Sequence, residues 1–260
     1  MSDRLAMEDL VVRIGDRILV NGASITLNAG RITALVGASG SGKTLLARSL
    51  LGLIDLAPGV VQAEYAIDID GRTLRPYRGI LGGGIRKREA AFTPIRGDIV
   101  GYLPQDAIAA LDPLWTVRKH VEAAALAAFG SGSPAERWLE RAGLSDVNRV
   151  AALYPHELSG GMAQRVGIAQ SLARQSRFLL TDEPTTGLDP TIQAAILGAL
   201  KDLADSGIGI LLITHDLRIL TDLADDIVVM HEGAIAGSLD SAAGQRLVNA
   251  TQKIAAGRLG

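Results

Sequence analysis

The feature that most constrains the fold is the stretch GASGSGKT, residues 37–44, which directly follows the apolar run 32–36. Its glycines let successive backbone N–H groups curl around a phosphate chain. A short apolar run, a glycine-rich turn that ends in Lys-Thr and a helical pattern after it match the P-loop pattern. The sequence therefore predicts a phosphate-binding loop between a buried strand and a helix.

Three other apolar runs also end at polar motifs. Residues 99–103 lead to Pro104 and Gln105, residues 178–180 lead to TDE, and residues 210–213 lead to THD. Near-continuous apolar strands are typical of a parallel sheet covered on both faces, and ligands of such sheets bind beyond the carboxyl ends of the strands. We therefore expect an α/β fold with a P-loop NTPase core, whose motifs converge on one site.

The rest of the chain predicts two additions to this core. The segments DLVVRI and ASITLNAG near the N-terminus indicate antiparallel strands, and residues 111–158 are mainly helical in pattern, alanine-rich and broken by GSGSP. We predict one domain over residues 1–260, in which 1–105 and 159–260 form the core and about 106–158 an inserted helical subdomain. Residues 78–96, glycine-rich and basic, are interpreted as a solvated loop.

Composition excludes several classes of protein. The net charge of −2 gives no electrostatic reason to expect a nucleic-acid partner. The absence of cysteine excludes disulfides and thiolate metal sites. The N-terminus has no apolar signal-peptide region, and no run approaches the length of a membrane span, so we expect a soluble, cytosolic protein.

The P-loop defines a candidate site for ATP and Mg²⁺. Lys43 is expected to meet the β- and γ-phosphates, and the Thr44 hydroxyl to bind Mg²⁺. Backbone groups around the phosphates would come from Gly37, Ala38, Ser39, Gly40, Ser41 and Gly42.

Asp182 and Glu183 close an apolar strand, in the arrangement of a Walker B acidic pair. Asp182 would belong to the Mg²⁺ shell, and Glu183 would orient or deprotonate the attacking water. Alone, such a pair is as often the cap of the next helix. His215 ends another buried strand, where contact with the γ-phosphate and its attacking water is favoured over a purely structural role.

The stretch ELSGGMAQRV, residues 157–166, opens a second predicted helix. Ser159 is a good helix cap, but two glycines in a first turn cost stability unless the backbone must approach something closely. A helix start with unpaired N–H groups attracts anions. The sequence therefore predicts a second phosphate site besides the P-loop.

In chain order, GASGSGKT, Gln105, LSGGM, LLTDEP, GLD and His215 resemble the ATP-binding cassette ATPases of ABC transporters. The resemblance implies that two cassettes meet head to tail and sandwich two nucleotides. Ser159, Gly160 and Gly161 would then bind the γ-phosphate of ATP held on a partner's P-loop. The resemblance also implies that Gln105 reaches Mg²⁺ and that Asp189 lies in the loop that communicates across the dimer.

Longer stretches are similar to the ATPases of oligopeptide, dipeptide and nickel importers. These stretches are YPHELSGGMAQR, with Met162 in place of the usual glutamine, QDAIAALDP and DEPTTGLDPTIQAAIL. The chain stops soon after Gly237, which makes it more similar to the short nickel-type subunits. The resemblance implies peripheral attachment at the cytoplasmic face of the inner membrane. The implied partners are transmembrane permease subunits, a second and different ATPase subunit or another copy of this chain, and, indirectly, an external solute-binding protein.

The alternative is a cassette ATPase that does not transport, such as one in a phosphonate-degrading complex. The transported solute is not encoded in this chain, because specificity resides in the other subunits.

Three positions depart from the family pattern or add to it. Ile14 stands where an aromatic residue normally stacks on adenine, with Arg13 or Arg17 as the substitutes for that contact. Trp115 is interpreted as core packing, with contact to a membrane subunit as the alternative. The basic run 86–88 is a candidate to touch a membrane subunit or lipid headgroups.

Overall fold

The structure is a computed structural model that describes residues 3–55, 59–130, 132–216, 220 and 223–240. These residues form two compact units, one within residues 3–93 and 209–240 and the other within residues 94–208. The predicted division into a core and an inserted subdomain at about 106–158 stays a prediction.

The first unit holds most of the strands. Its described elements are β1 (Arg4–Ile14), β2 (Arg17–Asn28), β3 (Ile32–Val36), α1 (Lys43–Leu50), β4 (Val60–Ile69), β5 (Arg72–Leu74), α2 (Ile85–Phe92), β8 (Gly209–Ile213), β9 (Asp226–His231) and β10 (Ala234–Asp240).

An antiparallel sheet is formed in the order β2-β1-β4-β5. Strand β1 pairs antiparallel with both β2 and β4, and β4 pairs antiparallel with β5. The antiparallel strands predicted from the N-terminal segments are confirmed.

The second group of strands positions the P-loop. Strand β3 lies between β8 and β9 and is parallel to both, and β10 is antiparallel to β9. Every residue of β3 and β8 is buried, which explains why these runs are continuously apolar rather than alternating. The carboxyl ends of β3 and β8 therefore lie side by side, where the sequence analysis placed functional loops.

Part of the interpretation of residues 78–96 as a solvated loop is wrong. Residues 85–92 form α2, whose Phe92 ring packs on Tyr65 and Tyr77 with centroid distances of 6.4 and 5.0 Å. Arg88 is buried and forms an ion pair of 2.5 Å with Asp55. The buried Arg88 is therefore not the membrane-contacting residue suggested by the basic run, because it anchors the helix inside its own unit.

The second unit combines two strands with helices. Its described elements are β6 (Val100–Leu103), α3 (Val117–Phe129), α4 (Ala135–Arg141), α5 (Val147–Ala152), a 3₁₀ turn (Pro155–Glu157), α6 (Gly160–Arg174), β7 (Phe178–Asp182) and α7 (Pro190–Asp205).

Strands β6 and β7 are parallel, with Val100 opposite Phe178 and Leu103 opposite Thr181. The helical character predicted for 111–158 is confirmed by α3, α4 and α5, and the GSGSP stretch separates α3 from α4. Trp138 is buried and stacks on Phe129 at a centroid distance of 6.1 Å.

Trp115 is only half-buried. Its ring contacts His120, and the Lys119 ammonium lies 4.0 Å from the ring centroid. The core-packing interpretation is therefore correct only in part, because the indole packs within its own unit while Lys119, a charged residue of α3, covers one of its faces.

Within the described residues, no helix combines the length and apolar character needed to cross a membrane.

Candidate functional site

The P-loop joins β3 to α1 in a tightly curled conformation. The Lys43 ammonium is 6% exposed and donates hydrogen bonds to the carbonyl oxygens of Gly37 (2.9 Å) and Ala38 (2.8 Å). The Ser41 amide donates to the Ala38 carbonyl at 3.2 Å. These contacts fix the curl of the loop and keep the charge of Lys43 at its base.

Two glycines allow this curl because atoms of Met230 lie too close for a side chain at either position. A Cβ atom on Gly37 would lie 2.1 Å from the Met230 carbonyl oxygen, and Gly42, with φ 106°, would direct one to within 2.8 Å of the Met230 methyl group. The turn after β9 also holds the loop, since the Gly233 amide donates to the Ser41 carbonyl at 3.0 Å.

The loop fits a phosphate chain. The Ser41 hydroxyl is buried and has no hydrogen-bond partner among the described residues, which is costly unless a ligand satisfies it. This hydroxyl, the buried Lys43 ammonium and the start of α1 together form a site suited to an anion.

His215 belongs to the same unit as the P-loop. It is exposed and lies two residues beyond β8, the strand that pairs with β3. Thr214 before it is anchored, since its amide donates to the Leu35 carbonyl at 3.3 Å, and its hydroxyl accepts from the Asp216 amide at 3.0 Å. The fold thus places His215 at the sheet edge where the P-loop begins.

Asp182 and Glu183 lie at the carboxyl end of β7 in the second unit. Asp182 is 6% exposed, and its Oδ2 accepts a hydrogen bond of 3.3 Å from the Tyr102 hydroxyl on β6. Glu183 has φ 49°, a left-handed conformation that is unfavourable for residues other than glycine. Its Oε2 accepts hydrogen bonds from Gln105 (3.4 Å) and from the Thr186 hydroxyl (3.1 Å).

Gln105 is connected to the LSGGM helix. Gln164 on α6 is 4% exposed and donates from Nε2 to the carbonyl oxygens of Pro104 (3.4 Å) and Gln105 (3.2 Å). The buried side-chain amide of Gln164 therefore links the backbone of residues 104 and 105 to the first half of α6.

The LSGGM stretch begins α6 as predicted. Ser159 is the N-cap, and its Oγ accepts from the Met162 amide at 3.3 Å. Gly160 is exposed, whereas Gly161 is buried against α7, where a Cβ atom would lie 2.4 Å from Ile192 Cγ2. Helix packing is thus a reason for the second glycine that the sequence analysis did not foresee.

The contact between Gly161 and Ile192 yields a testable prediction. Gly161→Ala is expected to destabilise the protein by about 1–3 kcal/mol, the usual cost of overpacking, measured by urea denaturation. Ile192→Ala should remove the clash, so the double variant should be more stable than the sum of the single effects by about 0.5–3 kcal/mol.

The matched control is Gly198→Ala in α7, where nothing lies within 4 Å of an added Cβ. Strict additivity of Gly161→Ala and Ile192→Ala would contradict the packing role of Gly161.

Asp189 is the N-cap of α7. Its Oδ1 accepts from the Ile192 amide at 3.0 Å, and Pro190 occupies the first helical position. Asp189 therefore has a structural function as the cap of this helix.

Ile14 lies at the tip of the β1–β2 hairpin and is 52% exposed. Arg13 and Arg17 beside it are also exposed. The hairpin therefore presents an aliphatic side chain flanked by two cations at the position assigned to adenine contact.

The described residues contain no cluster of three or more histidine, aspartate or glutamate side chains that could hold a metal by themselves. Mg²⁺ in phosphoryl-transfer sites is usually held by one or two protein oxygens together with phosphate oxygens and water. A threonine hydroxyl, an aspartate carboxylate and a glutamine amide each offer the kind of oxygen ligand that suits this ion.

Four residues that position the motifs were missed by the sequence analysis. They are Tyr102, Gln164, Thr186 and Met230. Tyr102, Gln164 and Met230 contact residues far away in the chain, so no local motif marks them. Thr186 lies only three positions after its partner Glu183, so this contact was within reach of local analysis.

Comparison with known proteins agrees with these motifs. The model of the ABC transporter family matches residues 20–186. A Brucella abortus strain 2308 protein, provisionally named a peptide import ATP-binding protein, is 37% identical over 232 residues, which is 87% of this chain and 67% of that protein.

A nickel import ATP-binding protein, NikD, from Brucella abortus biovar 1 strain 9-941 is also similar. It is 37% identical over 241 residues, which is 89% of this chain and 85% of that protein. The chain belongs to the ABC transporter family, and within it to the ATP-binding ABC ATPases.

Solved structures show the same fold. A dimeric ATP-binding cassette bound to ADP and phosphate matches with a TM-score of 0.72 and 23% identity, over 91% of this chain and 98% of the other. A Clostridium perfringens subunit, described as part of an ABC transporter complex, matches with a TM-score of 0.74 and 23% identity, over 96% of this chain and 93% of that subunit. The ABC ATPase fold expected from the sequence is confirmed.

Proposed function

We propose that this chain is the ATP-hydrolysing subunit of a bacterial importer for peptides or nickel chelates. The observation that carries the proposal is the 37% identity to import ATP-binding proteins over 87% and 89% of the chain. The names of these relatives favour import over a cytosolic complex of the phosphonate-degrading kind.

The first unit would bind the nucleotide. Lys43 would contact the β- and γ-phosphates, the backbone of residues 37–44 would surround them, and His215 would contact the γ-phosphate. Mg²⁺ would neutralise phosphate charge, held by Thr44, Asp182 and Gln105. Phosphoryl transfer needs little covalent help, so positioning and charge stabilisation are expected to dominate.

Glu183 would accept a proton from the attacking water. Its hydrogen bonds from Gln105 and Thr186 support this role, because two donors hold the carboxylate in one orientation. Tyr102 would act similarly on Asp182.

A second cassette would complete each site. Ser159, Gly160 and Gly161 would bind the γ-phosphate of ATP on the partner, and Asp189 would lie at the contact between the two. The exposure of Gly160 at the start of α6 supports this role. Permease subunits would respond to the movement of the two cassettes at the cytoplasmic face of the inner membrane. An external solute-binding protein would deliver the solute to these permease subunits.

The test is the solution mass of Glu183→Gln with and without Mg-ATP, together with a measurement of bound ATP. A dimer that forms only with ATP would support a sandwich of two copies of this chain. A monomer that binds ATP would require a different ATPase partner, to be sought by co-purification. Failure to bind ATP at all would contradict the proposal.

The exposed Ile14 predicts weak discrimination between bases. Stacking of a base on an aromatic residue contributes about 1–3 kcal/mol, and an aliphatic side chain at the hairpin tip loses most of it. GTP is therefore expected to compete with ATP within about threefold in a displacement assay with fluorescent nucleotide.

Ile14→Tyr serves as the comparison in that assay and should raise ATP affinity about tenfold. A strong preference of the wild type for ATP over GTP would contradict the assignment of Ile14.

A further inference from the structure

An open cavity of about 410 Å³ lies in the first unit, within residues 63–81. Its lining includes the rings of Tyr65 and Tyr77, the side chain of Leu81 and the two arginines Arg75 and Arg78. The volume is in the range of small-molecule sites, which are mostly apolar with a few polar groups. None of the ATPase motifs contributes to this lining.

The two arginines are available to a ligand. Arg75 and Arg78 are exposed, and neither side chain has an ion-pair or hydrogen-bond partner among the described residues. Guanidinium groups bind phosphate and carboxylate groups through paired hydrogen bonds. Two of them at one cavity favour an anionic group there.

The surrounding sequence is strongly basic although the chain as a whole is not. Residues 72–92 contain six basic side chains and one acidic side chain, whereas the net charge of the whole chain is −2. Only Arg88 among the six is buried in an ion pair with Asp55. At the cavity itself, Arg75 and Arg78 outnumber the one lining carboxylate, that of Glu64, and this positive charge raises the local concentration of anions.

The apolar part of the lining favours a ligand that is more than a bare anion, because Leu81 is 39% exposed and a bare anion would leave it in water. Tyr65 is 2% exposed, and its hydroxyl has no hydrogen-bond partner among the described residues. Glu64, also in the lining, offers an acceptor to a hydroxyl or amino group of the ligand.

We propose that this cavity is a binding site for an amphiphilic organic anion, in which Arg75 and Arg78 bind a phosphate or carboxylate group and Leu81, beside the largely buried Tyr65 and Tyr77, contacts its apolar part. The site is separate from the nucleotide site and goes beyond the proposed function. Such an anion is either a soluble metabolite or the headgroup of an anionic lipid, and the experiment has one arm for each source.

The soluble arm uses phenyl phosphate, titrated calorimetrically into the protein in saturating Mg²⁺ and a non-hydrolysable ATP analogue, which keeps the P-loop filled. The wild type is expected to bind it, and the double variant Arg75→Ala/Arg78→Ala to bind at least tenfold more weakly. The matched control is Arg86→Ala, which removes an equally exposed charge of α2 that does not line the cavity and should change the affinity less than twofold.

The lipid arm measures co-sedimentation with phosphatidylglycerol vesicles and with neutral phosphatidylcholine vesicles. Binding to the anionic vesicles alone that requires Arg75 and Arg78 but not Arg86 would identify a headgroup as the source. Melting temperature and nucleotide affinity should be unchanged in all variants, which separates loss of the site from misfolding.

The proposal is overturned if neither probe binds the wild type. It is equally overturned if the double variant binds as well as the wild type, or if Arg86→Ala weakens binding as much as the double variant, since either result would indicate general surface charge.

Discussion

Glu183→Gln is expected to lower the turnover number for ATP hydrolysis by at least about 100-fold while leaving ATP affinity within about threefold. The amide has the shape of the carboxylate and can still accept the hydrogen bonds from Gln105 and Thr186, so the geometry of the site should be kept. What the amide loses is the basicity needed to take a proton from water. General-base catalysis usually contributes about 10²–10⁴-fold to a rate, which sets the expected effect.

The measurement is steady-state phosphate release at saturating Mg-ATP, paired with calorimetric ATP binding. Glu140→Gln, the same chemical change at an exposed position of α4, should leave both quantities unchanged. Substantial steady-state hydrolysis by Glu183→Gln, for instance more than about a tenth of the wild-type rate, would remove Glu183 from the role of base.

Lys43→Ala is expected to lower ATP affinity at least about 100-fold. Hydrogen bonds to charged groups contribute about 1.5–3 kcal/mol each, and the ammonium is assigned to two phosphates. The substitution also removes the donor to the carbonyl oxygens of Gly37 and Ala38, so the loop loses part of its internal support. Hydrolysis should fall below detection as a result.

Nucleotide affinity and melting temperature should be measured together for this variant. Lys201→Ala is the control, because Lys201 forms only a surface ion pair with Asp205, which contributes little. ATP affinity of Lys43→Ala within threefold of the wild type would contradict the assignment of the P-loop as the nucleotide site.

The P-loop and the helix start at Ser159 could be predicted because their chemistry is local. A glycine-rich turn after a buried strand, or a serine before a helical pattern, can be recognised from a few neighbouring residues. The supporting contacts could not be predicted in this way. Tyr102 meets Asp182 across 80 positions of sequence, and only the parallel pairing of β6 with β7 brings the two together.

Helix α2 illustrates a different limit of sequence analysis. Its eight residues follow GGG and include three consecutive basic side chains, so local propensity indicated a loop. Tertiary packing overrides that propensity, because Phe92 joins the aromatic cluster with Tyr65 and Tyr77 and Arg88 pairs with Asp55. Short helices depend on such packing rather than on propensity.

The left-handed backbone at Glu183 has a consequence for engineering of this protein. A non-glycine residue held in that conformation costs about 1–3 kcal/mol; glycine would relieve this cost, and asparagine would relieve part of it. Directed evolution that selects only for heat resistance should therefore favour those residues at position 183 and, in doing so, discard the carboxylate assigned to catalysis. At this position, selection for durability and selection for turnover would oppose each other.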